Sequence, residues 1–251
     1  MNTILITGAT SGFGKACAEL FAAKNWRLIL CGRREDRLKT LASKLADVPI
    51  HLAIFDVRDN GMVEKMVAEL PEEFRKIDVL LNNAGLALGM GSAQSADLND
   101  WETMVDTNIK GLLYLTRAIL PGMVKQKNGH IINIGSVAGN WPYPGGNTYG
   151  GTKAFVNHFS RNLRADLHGI GIRVTNIEPG LADTEFSVVR FHGDREQADN
   201  VYAGMTPLSA QDIAESIYWA ASRPPHVNIN SIEIMPVAQS WGPFPIHREG
   251  N

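Results

Sequence analysis

Thr3-Ile4-Leu5-Ile6-Thr7-Gly8-Ala9-Thr10-Ser11-Gly12-Phe13-Gly14 reads as a short apolar strand, a glycine-rich turn and the opening of a helix. Gly8 permits the tight turn. Gly12 lets backbone N–H groups approach a pyrophosphate, and Gly14 lets the helix lie close to the strand. The positive end of the helix then favours an anion. Glycines of this kind also occur in purely structural turns. Their place after a first strand and before a helix is the context that points to a dinucleotide.

The remainder of the chain repeats this alternation. Apolar runs at 3–7, 27–31, 50–55, 79–81, 130–134, 173–177 and 232–236 are rich in Ile, Leu and Val and do not alternate cleanly. Strands buried on both faces have that character. Amphipathic stretches at 12–25, 34–46, 60–70, 100–127, 149–168 and 210–222 separate them. The order predicts an α/β, doubly wound parallel sheet of about seven strands, Rossmann-type, with helices on both faces. There is no repeat, low-complexity tract or linker, so one domain over 1–251 is expected. The segment 180–206 mixes charge, Gly and aromatics, which suits a mobile lid. A C-terminal tail begins at about 237.

With 251 residues, 24 Lys+Arg and 26 Asp+Glu, the chain is nearly neutral at −2, and 44% of it is hydrophobic. A chain of this length buries about 70% of its open-chain surface, enough for a core without disulfides or metals. The charge balance argues against nucleic acid as a partner. No apolar run reaches the roughly 20 residues that span a bilayer, so no membrane partner is expected. Residues 2–7 already read as a strand, with no basic stretch before an apolar block, and a cytoplasmic location is expected. Cys17 and Cys31 have no CxxC neighbour and no His at metal spacing. They read as small buried thiols, and no metal is expected. His130, just before the fifth strand, reads as structural.

An acidic residue at the tip of the second strand normally binds both ribose hydroxyls of NAD. Here the strand ends Cys31-Gly32-Arg33-Arg34. Guanidiniums suit a 2′-phosphate, so Arg33 and Arg34 favour NADP. The other reading is a solvated charge cluster with Glu35 and Asp36, which leaves room for NAD. Farther along, Tyr149 and Lys153 are four residues apart and share one helical face. A nearby ammonium lowers the pKa of a phenol, so Lys153 can make Tyr149 a usable acid/base, and Ser136 at a strand mouth can bond a substrate oxygen. Taken singly, these are an exposed pair and a turn serine.

Together, T-G-x-x-x-G-x-G at 7–14, Asn82-Asn83-Ala84-Gly85, Ser136 and Tyr149-x-x-x-Lys153 resemble the short-chain dehydrogenase/reductase family. The resemblance runs from Thr3 to Pro236. It implies cofactor contacts at Gly8, Thr10, Ser11, Gly12, Phe13, Gly14, Arg33, Arg34, Asp56, Val57, Asn83, Ala84, Gly85, Tyr149, Lys153, Pro179 and Gly180. It implies that Asn108, in Asn108-Ile109-Lys110-Gly111, joins Ser136, Tyr149 and Lys153 as the fourth catalytic residue and holds a water that relays the proton. Asp56 falls where the family touches the adenine edge, and Pro179-Gly180 lies beside the nicotinamide. Gly150-Gly151-Thr152 departs from the Ala and Ser common there. The two glycines cost about 1–2 kcal/mol of helix stability against Ala, and they can admit a close backbone neighbour.

Residues 82–90, 135–146, 178–193 and 228–239 are similar to a group within the family, the NADP-dependent 3-hydroxy acid dehydrogenases, also described as serine or L-allo-threonine dehydrogenases. That likeness implies hydride transfer at C3 of small 3-hydroxy acids such as serine, L-allo-threonine and 3-hydroxypropionate, with malonic semialdehyde in the reverse direction. A small carboxylate needs a cation in a closed site. Arg190 is the candidate, and a solvent-facing loop Arg is the alternative. Trp141 and Tyr143 are candidates to close the pocket, with core packing or a subunit contact as the equal alternative, and Met90 and Leu86 to line the opposite wall. Two other readings stay open: an NADPH-dependent reductase of ketoacyl thioesters or other ketones, and a non-catalytic NADP(H)-binding regulator. The family resemblance also implies a homotetramer, and the apolar ending at 235–246 suits burial at such an interface or on its own subunit.

Overall fold

The computed structural model describes residues 1–242 and residue 246. Among the described residues, seven strands form one sheet: β1 (Thr3–Thr7), β2 (Arg27–Gly32), β3 (Ile50–Ile54), β4 (Val79–Asn82), β5 (Gly129–Ile134), β6 (Ile172–Pro179) and β7 (Ser231–Ile234). Their order is β3-β2-β1-β4-β5-β6-β7, and every neighbouring pair is parallel. The helices are α1 (Gly12–Ala23), α2 (Glu35–Lys44), α3 (Asn60–Ala68), α4 (Leu98–Val105), α5 (Gly111–Gln126), α6 (Asn147–Asp166), α7 (Glu185–Arg190), α8 (Arg195–Asn200) and α9 (Ala210–Ala221).

Successive strand side chains point to opposite faces of the sheet. Ile4, Ile6, Leu28 and Leu30 therefore pack with Phe21 of α1, Leu38 of α2 and Ile213 and Ile217 of α9. Leu5, Ile29 and Cys31 face the other way, onto Val63 of α3, Leu115 and Ile119 of α5 and Leu163 of α6. Each such side chain contributes about 1.5–3 kcal/mol on full burial. Two covered faces explain why the strands read as unbroken apolar runs. His130 is buried within β5, with Nε2 2.7 Å from the Thr175 hydroxyl. Burial, aided by the Arg173 charge, holds its pKa well below the usual value.

The strand order reverses between β1 and β4, and a crevice opens there at the carboxyl ends of the strands. The turns after β1, β2, β4, β5 and β6 therefore converge on one place.

Several elements differ from the sequence expectation. The helix expected over 100–127 is α4, a π-helical turn at Asp106–Lys110, and α5. The side chain of Asn108 explains the interruption. Its amide leaves the helix to bond both backbone groups of Leu86 and the hydroxyl of Thr152. The helix expected from 149 begins at Asn147, so Tyr149 lies within its first turn. β6 is longer than 173–177, and β7 stops at Ile234. The irregular segment 180–206 holds α7 and α8, capped by Thr184 and Asp194 side chains. Of the apolar ending, Pro243, Phe244 and Pro245 lie outside the described residues. No described helix is long and apolar enough to cross a membrane.

Candidate active site

The floor of the crevice is a cavity of about 600 Å³. At its base the turn after β1 is tied to the turn after β4. The Thr7 hydroxyl accepts from the backbone N–H groups of Asn83 (3.0 Å) and Ala84 (2.9 Å). The Asn83 amide donates to the carbonyls of Thr7 (2.8 Å) and Gly8 (3.3 Å). Gly8 and Gly12 have φ of +66° and +49°, where an L side chain is strained. A Cβ on Gly14 would run into the Gly8 carbonyl and sit 2.6 Å from Asn83 Nδ2. Gly14 thus lets α1 lie against the strand end, as the motif requires. Gly8, Thr10, Ser11, Gly12, Phe13, Ala84 and Gly85 all line the cavity.

Arg33 and Arg34 stand at the mouth beyond β2. Their partners are not Glu35 and Asp36. Arg33 donates to Asp56 at 3.3 Å, and Glu35 pairs with Lys39. Arg34 donates to Thr10 (2.6 Å and 3.1 Å), to Ser11 (3.0 Å) and to Glu185 (3.1 Å). Arg37, one turn on, donates to both oxygens of Glu185 at 2.7 and 2.9 Å. Burial acts to raise the Asp56 pKa, but hydrogen bonds and charge from Arg58, with Arg33, hold it below its usual value. Val57 also lines the cavity, and a Cβ on Gly111 would come within 2.7 Å of it. That contact explains the glycine three residues after Asn108.

Ser136, at the end of β5, accepts from the Ala138 N–H at 3.1 Å and lines the cavity with Tyr149 and Lys153. The 3₁₀ turn that follows, Val137–Gly139, packs directly on α6, where a Gly139 Cβ would meet the Lys153 carbonyl carbon at 2.7 Å. Lys153 Nζ donates to the Ile134 carbonyl at 2.7 Å and lies 5.8 Å from the centre of the Tyr149 ring. Asn108 closes the group: a Cβ on Gly85 would be 3.3 Å from Asn108 Oδ1 and 3.5 Å from Lys153 Nζ. Burial lowers the Lys153 pKa to about 8. Burial also pushes the Tyr149 phenol up to about 12, opposed by the charge of Arg190 and a hydrogen bond with Ser136. The Arg190 charge thus joins the Lys153 ammonium, 5.8 Å from the ring centre, as a cation beside Tyr149. The Lys153 ammonium also donates to the Ile134 carbonyl.

Arg190 ends α7, and its guanidinium carbon is 5.0 Å from the Tyr149 ring centre and 5.4 Å from that of Phe186. It donates to the Tyr143 hydroxyl at 2.8 Å. Its Nε is buried and has no hydrogen-bond partner among the described residues. It is therefore not a solvent-facing loop arginine. Tyr143, Met90 and Leu86 line the same cavity, although Met90 is 41% exposed. Trp141 is absent from the described lining. It is 38% exposed and lies near Gly242, because the 3₁₀ turn after Ser136 carries its ring outward toward the C-terminal segment. Pro179 and Gly180 do line the cavity, where a Gly180 Cβ would clash with Gln239.

A family model described as short chain dehydrogenase matches residues 2–194. The chain belongs to the short-chain dehydrogenase family. It is 55% identical over 248 residues to the serine 3-dehydrogenase of Agrobacterium fabrum, covering 99% of both chains. It is equally identical, over 246 residues, to the NADP-dependent 3-hydroxy acid dehydrogenase YdfG of Salmonella typhi, covering 98% of this chain and 99% of the relative. The closed form of a serine dehydrogenase complexed with NADP+ superposes with a TM-score of 0.95 at 53% identity, over 98% of this chain and 100% of that one.

This short-chain dehydrogenase also uses residues that the sequence reading passed over. Glu178 is buried on β6 and accepts from Asn140 (2.5 Å), Asn176 (2.8 Å) and Ser231 (2.6 Å). Asn157, one turn after Lys153, donates to Asn140 at 2.6 Å. That chain of bonds ties the Ser136 turn to α6, β6 and β7. Gln239 accepts from the Leu181 N–H at 2.7 Å and lines the cavity. Phe186 packs on Tyr149 with ring centres 5.6 Å apart. Glu185 and Arg37 form the ion cluster with Arg34. Of these, only the buried Glu beside Pro179-Gly180 had a signal in the sequence, a charge in an otherwise apolar strand.

Proposed function

We propose that the protein transfers a hydride between NADP(H) and the 3-hydroxyl of small 3-hydroxy acids, serine, L-allo-threonine and 3-hydroxypropionate among them. The observation that carries this reading is Arg190, a cation with a buried, unpartnered Nε beside the Tyr149 ring. A guanidinium in a closed site is stabilised by an incoming carboxylate. A neutral ketone or a thioester leaves the guanidinium charge unmatched, which weighs against the ketone reductase reading.

The residues present fit the dinucleotide. The first turn of α1 has no side-chain cap and no acidic residue, so its N–H groups are free to meet a pyrophosphate. Arg33 and Arg34 supply charge for the 2′-phosphate, Asp56 and Val57 flank the adenine position, and Pro179 and Gly180 border the nicotinamide end. When bound, the nicotinamide supplies the hydride acceptor. Tyr149 takes the proton of the substrate hydroxyl. Ser136 holds the substrate oxygen and hydrogen-bonds the phenol. Lys153 anchors a ribose hydroxyl and passes the proton outward. Asn108 has both amide N–H groups engaged, so it holds the relay water through the second lone pair of Oδ1 or its backbone carbonyl. Residues 180–206 act as the lid, and Tyr143 and Met90 border the substrate. The single domain works in the cytoplasm as a homotetramer.

Initial rates at alkaline pH with L-serine and NADP+, repeated with NAD+, test this. A rate with NADP+ that drops sharply with NAD+ is expected. No rate with either cofactor would move the substrate to the ketones or thioesters, and cofactor binding without turnover across a small-alcohol panel would leave a regulator.

A further inference from the structure

Glu185 is the first residue of α7, yet its carboxylate is held by the far side of the crevice. Both its oxygens accept from Arg37 Nη1, at 2.7 and 2.9 Å, and one also accepts from Arg34 Nη1 at 3.1 Å. The other arm of Arg34 donates to Thr10 at 2.6 Å and Ser11 at 3.0 Å, in the turn after β1. Thr184, one residue earlier, lies so close that a Cβ on Gly12 would be 3.3 Å from its own. Arg34 therefore spans the phosphate turn and the lid, with Glu185 as its counter-ion.

A carboxylate and a phosphoryl group present the same face to a guanidinium: paired anionic oxygens that accept two N–H bonds. We infer that Glu185 is an internal anion competing with the 2′-phosphate of NADP for Arg34 and Arg37, and that arrival of the phosphate releases the leading end of α7. The inference rests on the proposal that Arg33 and Arg34 form the 2′-phosphate site. NAD carries no anion at that position and leaves the cluster intact. The far end of the same six-residue helix carries Arg190, roughly 8 Å away at the rise of an α-helix. One short rigid element thus links the cofactor phosphate to the cation over Tyr149. The groups in the cluster are 43–49% exposed, so the competition is modest and sensitive to salt.

Calorimetric titration of the full-length apo protein with NADP+ and with NAD+ tests the inference. Glu185→Gln removes the internal charge at nearly constant shape and at an exposed position. At low ionic strength the variant is expected to bind NADP+ about three- to tenfold more tightly, with NAD+ affinity unchanged and the gain shrinking in salt. Weaker or unchanged NADP+ binding, or an equal gain for both cofactors, would overturn it. Arg34→Gln separates this failure from that of its premise. If Arg34→Gln loses the preference for NADP+ while Glu185→Gln is silent, only the competition falls. If Arg34→Gln keeps the preference, the 2′-phosphate is bound elsewhere and both fall.

Discussion

At the floor of the crevice, Thr7, Asn82, Asn83, Asn133 and Lys153 hold one another and the strand ends through buried or half-buried hydrogen bonds of 2.7–3.3 Å. Over the same crevice, the segment 180–206 is tied down in part by exposed ion pairs from Glu185 to Arg34 and Arg37, with a hydrogen bond between His192 and Asp100, half-buried bonds from Arg190 to Tyr143 and Leu181 to Gln239, and aromatic contact between Phe186 and Tyr149. The two regions face the same cofactor and substrate but are held by different forces. A buried bond is costly to break, because its partner is left unsatisfied away from water. An exposed ion pair exchanges readily for water or another anion. The floor therefore keeps its geometry, and the cover can yield to what enters.

The strongest way to break this contrast is to strike the floor at its proposed reacting group. Tyr149→Phe should lower kcat by about 10²–10⁴-fold, the range for a lost acid/base group, and leave NADPH binding nearly intact. Near wild-type turnover would remove Tyr149 from the mechanism. On the cover, Arg190→Ala should raise KM for serine by about tenfold or more, since a hydrogen bond to a charged group contributes roughly 1.5–3 kcal/mol. A neutral alcohol should show little change in KM. The same variant sharpens the electrostatic reading: without Arg190 the Tyr149 pKa rises, so the rising limb of the kcat profile for serine oxidation, where Tyr149 acts as the base, should move to higher pH. An unmoved limb would separate the two residues.

Gly14→Ala tests how tightly the floor is packed. Its Cβ would strike Gly8 backbone, and about 1–3 kcal/mol of stability should be lost, together with cofactor affinity. Lys153 gives a pH signature. It is neutral in the folded protein above about 8 but keeps its proton to about 10.5 when unfolded. The unfolded chain then binds more protons, so apo stability should rise between those pH values and the rise should vanish in Lys153→Met. The smallest effect belongs to Gly151→Ala. Among the described residues, no atom outside its own stretch of helix lies within 4 Å of the added Cβ, so a gain of about 0.5–1 kcal/mol is expected. A loss would report a partner helix against that face, as the proposed tetramer requires.

Gly150 and Gly151 look alike in the sequence and differ in the structure. A Cβ on Gly150 would lie 3.1 Å from the Ala138 carbonyl, a close backbone neighbour, while Gly151 faces open space. The same division runs through the whole site. The turn after β1, Asn83-Ala84-Gly85, Ser136 and the Tyr149/Lys153 pair were legible because each depends on local backbone geometry and on spacing along one element. Glu185, Arg37 and Gln239 were not, and of Glu178 only its charge was, not its partners. Their partners are 148, 58 and 38 residues away along the chain, as Glu185–Arg37, Gln239–Leu181 and Glu178–Asn140 show. Trp141 was misplaced for the same reason: its neighbours are set by how the turn after Ser136 packs.

The sequence by itself determined the doubly wound parallel sheet and its crevice, because apolar periodicity and glycine positions act through contacts a few residues apart, and its family resemblance pointed to the proposed reacting residues. The tertiary structure decided which charges meet across that crevice. It turned Lys153 toward the Ile134 carbonyl, brought Arg190 over Tyr149 and set Glu185 on Arg34. Coulomb interactions and hydrogen bonds depend on distance in space, and residues far apart in the chain acquire that distance only when the sheet has formed.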